Sequence, residues 1–208
     1  MKALFFCLFC LISSFCFSQQ KEEFRQVKNY YNQHRNMLNT EFKKKFDKES
    51  DNFRKAAIKS DFSLFMQKMD SIENVAMIGA LLRVRNLEDL QALKTPKSIL
   101  QDNTVKPAIM EKPADYPGGF ATLRQEVANL FYTPAVHSEV KSVKTEVAFI
   151  VEKDGSITNV HAQGDNFTFN RQAEIALYSV SEKFSPAIVN GDAIRSPLRV
   201  PLTLTIED

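Results

Sequence analysis

The residue types that usually carry chemistry are few in this chain, and their spacing keeps them apart. The three histidines are His34, on an expected helix, His137, after a loop proline, and His161, on an expected strand. None shows the His-x-x-x-His kind of spacing that brings two imidazoles to one metal. All three cysteines, Cys7, Cys10 and Cys16, lie in the first apolar stretch. There is no Gly-x-Ser-x-Gly elbow and no glycine-rich loop that would cradle a phosphate. Asp154 precedes Gly155, where an aspartate is a turn former more often than an acid. Glu22-Glu23 and the Asp47/Glu49/Asp51 group read as solvated helix faces. These residues point to a non-enzymatic protein with no catalytic residue, metal or cofactor. They move the question of function to surfaces that bind.

The elements that would build such surfaces fall into four segments. The chain has 208 residues, enough for one or two small domains. Its formal charge of +2 is uneven, with 15 basic and 11 acidic residues between positions 19 and 95, and 11 and 14 beyond. Neither half has the strongly basic face of a nucleic-acid binder. Lys2, an apolar run over 3–17 and the small residue Ser18 describe a secretory signal peptide over 1–18. The run is shorter than the ~20 apolar residues of a membrane span. Cleavage after Ser18 leaves a cysteine-free chain in the periplasm, secreted or attached to the cell envelope. The alternatives are a retained membrane anchor and lipidation at Cys16, which Phe15 fits poorly.

From 19 to 94 the sequence has one glycine, Gly79, and no proline. Phe24, Val27, Tyr31, Leu38, Phe42 and Phe46, then Phe62, Phe65, Met66, Met69 and Ile72, recur at helical spacing. Breaks are expected near Ser50-Asp51 or Ser60-Asp61, where Ser and Asp can cap a new helix. This segment reads as an all-helical hairpin or small bundle, with a last short turn over 86–93. It could also hold the chain as a homo-oligomer. Residues 95–115, with Pro96, Pro107 and Pro113, read as an extended connector.

Residues 116–208 read as an α+β domain. Gly118-Gly119 turn the chain into a helix whose apolar face is Phe120, Leu123, Val127, Leu130 and Phe131. The stretch 143–152 is apolar on both faces and reads as a central strand. Asp154-Gly155 is a hairpin turn returning as a strand over 157–162. A second helix is expected over 170–183, capped by Asn170, and Asn190-Gly191 make another turn. The last strand alternates, with Leu198, Val200, Leu202, Leu204 and Ile206 inward and Arg199, Pro201, Thr203, Thr205 and Glu207 outward. Pro197 and Pro201 suit an edge strand. They can protect that edge from aggregation, or leave positions at which a partner strand adds.

Tyr116-Pro117-Gly118-Gly119, the hairpin through Asp154-Gly155-Ser156-Ile157, Phe184-Ser185-Pro186-Ala187, Asn190-Gly191 and the final alternating run occur in a specific order and spacing. Together they resemble the C-terminal domain of the TonB family, over about residues 112–207. That family's domain engages outer-membrane transporters in Gram-negative bacteria. The resemblance implies two helices packed on a three-stranded antiparallel sheet, preceded here by an all-helical segment. It implies binding, in TonB-dependent transport, of a partner protein or extended peptide such as the N-terminus of a TonB-dependent outer-membrane receptor. The peptide would pair with the last strand, at Arg195, Ser196, Leu198, Arg199, Val200, Leu202 and Leu204. Tyr116, Pro117, Gly118, Gly119, Asp154, Gly155, Pro186, Asn190 and Gly191 are then the structural motif residues. Three features depart from the family. Phe184 stands where tryptophan is common, and Phe169-Asn170 replace the usual Leu-Asp. The N-terminal stretch lacks the anchor histidine of a transducer, the first histidine being His34, and there is no long proline-rich spacer. The expected function is therefore that of a non-enzymatic envelope protein that binds by strand addition. A membrane-anchored energy transducer and a structural, cell-wall-associated protein are the rival readings.

Overall fold

The computed structural model describes residues 19–94, 110–136 and 140–205. The expected signal peptide over 1–18 with its cysteines, most of the expected connector, His137 and the end of the last strand at Ile206 lie outside these residues. Among the described residues the fold is mixed helix and sheet, with four α-helices, two three-stranded antiparallel sheets and a helical N-terminal part.

Helices α1 (Gln19–Lys48) and α2 (Asn52–Lys94) form a long hairpin. The break falls at 49–51, where the Asp51 carboxylate accepts from Arg54 N at 2.8 Å and so caps α2. Ser60-Asp61 does not interrupt α2, which runs unbroken for 43 residues and absorbs the expected last turn over 86–93. Away from the loop, Arg35 of α1 pairs with Asp70 at 2.6 Å and with Glu73. Nearer the loop, the rings of Phe42 and Phe62 stack at 4.1 Å. Among the described residues no helix is long and apolar enough to cross a membrane.

The main sheet has the order β3-β2-β6, with β2 (Ser142–Val151) between β3 (Ile157–Gly164) and β6 (Ser196–Thr205). Alternate β2 residues Val143, Thr145, Val147, Phe149 and Val151 are buried under helices α3 (Gly119–Leu130) and α4 (Phe167–Tyr178). Gly118 and Gly119 both take left-handed φ, near +80°, which lets the chain turn into α3. At the β2–β3 turn, Gly155 has φ +79°, and an added Cβ would lie 2.1 Å from the Phe184 carbonyl oxygen. Asp154 closes that turn by accepting from Ser156 N at 3.0 Å and Ser156 Oγ at 2.6 Å.

Helix α4 starts earlier than the spacing predicts. Its cap is Asn166, whose side chain accepts from Phe169 N at 2.8 Å. Asn170 lies inside the helix and donates to the Gly164 carbonyl at 2.9 Å, tying α4 to the end of β3. The helix ends at Tyr178, so Val180 and Phe184 reach the core from an irregular segment. The second sheet, β1 (Met110–Lys112), β4 (Ala187–Val189) and β5 (Asp192–Ile194), has order β1-β4-β5. Its β4–β5 turn is Asn190-Gly191, with φ of +52° and +83°. Two positive φ values in a two-residue loop suit the twist of a tight hairpin. Strand β1 lies within the segment expected to be a connector.

The two halves share one core. Phe24, Ala80, Leu81 and Val84 of the helical hairpin are buried in the same cluster as Leu123, Val147, Phe149, Val160 and Leu177. Phe24 stacks on Tyr178 at 5.4 Å. Burying these four apolar side chains contributes several kcal/mol at roughly 1.5–3 kcal/mol for each large one.

Candidate functional site: an open sheet edge

The main sheet has two edges, and the chain treats them differently. Along the middle of β3, three N–H groups that do not face β2 find side-chain acceptors. Ala162 N donates to Glu174 Oε1 at 2.8 Å and Val160 N to the Tyr178 hydroxyl at 3.2 Å. Asn159, at φ +53° where the β2–β3 register shifts, donates its N–H to Glu88 Oε1 at 2.9 Å. Tyr178 in turn donates to Glu88 at 2.7 Å. Glu88 comes from α2, and Glu174 and Tyr178 come from α4, so helices close this edge.

Glu174 is fully buried and also pairs with Arg85 of α2 at 2.6 Å and Arg171 at 2.9 Å. Burial raises its carboxyl above the ordinary range, against the pull of the Ala162 N–H and the two guanidinium groups. Burial, reinforced by the neighbouring Glu88, likewise raises Tyr178 and keeps its phenol protonated as a donor.

Among the described residues no strand pairs with the outer edge of β6. Its ladder with β2 is continuous, from Ser196 opposite Val151 to Thr205 opposite Ser142. Successive residues of an antiparallel strand turn their backbone groups alternately toward and away from the neighbour. Proline has no N–H, so an unbroken ladder places Pro197 and Pro201 at positions facing away from β2. By the same alternation Arg199, Thr203 and Thr205 present their N–H and C=O groups to the open side. Leu198, Val200, Leu202 and Leu204 turn theirs into the ladder, and their side chains toward the helices. The open side is thus formed by Pro197, Arg199, Pro201, Thr203 and Thr205. It meets the residues expected from the sequence only at Arg199. The signal that separates the two sets was present in the even spacing between the two prolines.

The other expected edge residues lie close by. Ser196 begins β6 and is buried, and Arg195 just before it pairs with Glu152 at 2.8 Å. Arg199 makes an exposed pair with Glu146 at 2.8 Å. The motif residues build the scaffold. The Tyr116 hydroxyl donates to Glu126 at 2.5 Å, and burial together with that contact pushes its pKa up to about 12. Its ring meets Phe184 edge-on at 5.0 Å. Pro117, Gly118 and Gly119 lead into α3, Asp154 and Gly155 form the β2–β3 turn, Pro186 precedes β4, and Asn190 and Gly191 form the β4–β5 turn.

Beside the open edge, on the helix side of the sheet, is a cavity of about 150 Å³ between α3 and β6. Val127, Phe131, Phe169, Leu202 and Leu204 give it an apolar lining, and Arg124 stands at its exposed rim. Phe131 and Phe169 were not singled out as site residues, because their rings meet only in the fold, at 5.3 Å. Of the histidines, His34 Nδ1 lies 2.8 Å from the Tyr30 carbonyl, and His161 sits exposed on β3. Among the described residues no group of three or more His, Cys, Asp or Glu is placed to hold a metal. Comparison with protein-family models, with curated proteins and with solved structures finds no match for the chain.

Proposed function

We infer that the chain is a non-enzymatic envelope protein that captures an extended peptide, or the edge of a partner protein, by strand addition at β6. The observation that carries this reading is the contrast between the two sheet edges. Side chains from two helices accept from the β3 N–H groups of Asn159, Val160 and Ala162, whereas among the described residues no strand pairs with the row of backbone groups that β6 turns outward. An exposed edge of this kind is a template for a further strand. The prolines restrict that template. Over 197–203 the edge offers donors only at Arg199 and Thr203, but carbonyls at every outward position, which favours one register and resists indiscriminate pairing. Every second side chain of an added strand would point toward the helices, and the cavity beside Leu202 and Leu204 suits an apolar one. The resemblance to the TonB C-terminal domain supports the same edge and makes the N-terminal segment of a TonB-dependent receptor the partner to test. The expected signal peptide puts the encounter in the periplasm.

The experiment is fluorescence anisotropy with labelled receptor N-terminal peptides, each paired with a copy N-methylated at alternate backbone nitrogens. Strand addition predicts saturable binding by the unmodified peptides and its loss on methylation. Equal binding by both forms would overturn backbone pairing, and no binding by any peptide would overturn the choice of partner.

A further inference from the structure

Helix α2 is apolar on two opposite faces. One face, with Met69, Ala80, Leu81 and Val84, is buried against α1 and the sheet domain. The other carries Phe65, Ile72, Val75, Leu82 and Leu93, which are 50% to 83% exposed. These five belong to an unbroken series: Phe65, Lys68, Ile72, Val75, Gly79, Leu82, Asn86, Asp89 and Leu93. The steps alternate three and four throughout, which is the spacing of a two-helix seam. A seam of this span is about 42 Å long at 1.5 Å per residue. Lys68, Asn86 and Asp89 are exposed on it, and neither Lys68 nor Asp89 has an ion-pair partner among the described residues.

The order of residues in this series selects what covers it. Gly79 is its midpoint. Stepping outward in both directions pairs Val75 with Leu82, Ile72 with Asn86, Lys68 with Asp89, and Phe65 with Leu93. An antiparallel copy of the same helix would make these pairs, each twice, around a two-fold axis at Gly79. The only cation of the seam would meet the only anion. A parallel, in-register copy would set Lys68 against Lys68 and Asp89 against Asp89. The axis also has room for close approach: a Cβ added at Gly79 meets only the Arg83 guanidinium, at 3.7 Å. A two-fold contact uses the same patch on both subunits, so the patch must complement itself when reversed, and this one does.

We propose that the outer face of α2 is a self-association surface, through which two copies of the chain pair antiparallel about Gly79 with Lys68 of each against Asp89 of the other. The seam residues all lie in α2 and none in β6, so the pairing does not draw on the capture edge. A dimer of this kind would present two capture edges on one particle, so a partner with two extended segments would be held more tightly than one with a single segment.

The test is the oligomeric state of the full chain by sedimentation equilibrium across a concentration series. The unaltered chain should dimerise. Lys68→Glu and Asp89→Lys should each raise the dimer dissociation constant by about tenfold or more, since each creates two like-charge contacts. The double variant, with the charges exchanged, should recover the original value. Gly79→Glu should also abolish the dimer while leaving the helical circular dichroism and melting temperature of the monomer intact. A monomer at every concentration would overturn the proposal and assign the stripe to some other cover. A dimer indifferent to the single reversals, or one not restored by the exchange, would overturn the antiparallel register.

Discussion

Replacing Thr203 with proline separates strand capture from folding. Thr203 is exposed on β6, pairs with Lys144 of β2, and by the parity of Pro197 and Pro201 turns its N–H to the open side. Proline there removes a donor that the ladder does not use, in a strand that already carries proline two residues earlier. The loss of stability should therefore be small, within about 0.5 kcal/mol of the unaltered chain as for other surface changes. Capture should suffer more. A bound strand loses one hydrogen bond worth about 1 kcal/mol, and the partner carbonyl left facing the ring costs about 1–3 kcal/mol where it is buried. The combined effect, about 2–4 kcal/mol, is a loss of roughly 30- to 700-fold in affinity. Thr203→Ala, which keeps the N–H, should bind as the unaltered chain does. Chemical denaturation gives the first quantity, and anisotropy with receptor N-terminal peptides gives the second. If Thr203→Pro unfolds the domain, the backbone parity assigned to β6 is wrong. If it folds and binds unchanged, the partner does not add to this edge.

Three further outcomes follow from the same geometry. Glu174→Ala should cost about 3–5 kcal/mol in urea denaturation, because it leaves Arg85 and Arg171 without their shared carboxylate and the Ala162 N–H without its acceptor. Gly155→Ala should destabilise by at least about 2 kcal/mol, from the left-handed backbone and the contact with the Phe184 carbonyl, whose residue also donates to Gly155 O. Burial works against Asp154, but its hydrogen bonds to Ser156 and Lys183 prevail and hold its carboxyl below the ordinary value of 3.8. A depressed folded-state pKa stabilises above the unfolded pKa and is lost as pH falls through the folded one. Thermal melts of Asp154→Asn should therefore lie below those of the unaltered chain near neutrality, and the gap should close below pH 3.8.

Long periodic elements were legible in the sequence, and short or distant contacts were not. The spacing of Leu123 and Val127 places the buried face of α3, and apolar residues on both faces of 143–151 place β2 at the centre. The alternation of β6 follows the pattern from Leu198 to Leu204. The strands β1, β4 and β5 have three residues each, too few for a period to show. The start of α4 was misplaced because Asn166 and Asn170 can both cap, and only the fold brings the Gly164 carbonyl to Asn170. Ser60-Asp61 can cap as well, but the neighbouring turns of α2 are held by α1 through Phe62 and Phe42, and the helix continues. The docking of the helical half rests on pairs such as Arg85 with Glu174, 89 positions apart, which no local pattern records. The closed β3 edge is legible only once those pairs are seen, and with it the contrast that singles out β6.

The most direct test of strand capture at β6 is residue-resolved amide hydrogen exchange by NMR, with and without a receptor N-terminal peptide. In the free protein the amides of Leu198, Val200, Leu202 and Leu204 should be protected by β2, and those of Arg199 and Thr203 should exchange freely. Adding the peptide should protect Arg199 and Thr203 and leave the β3 amides Val160 and Ala162 as they were. Arg199 and Thr203 amides that stay unprotected while the peptide is bound would contradict the account.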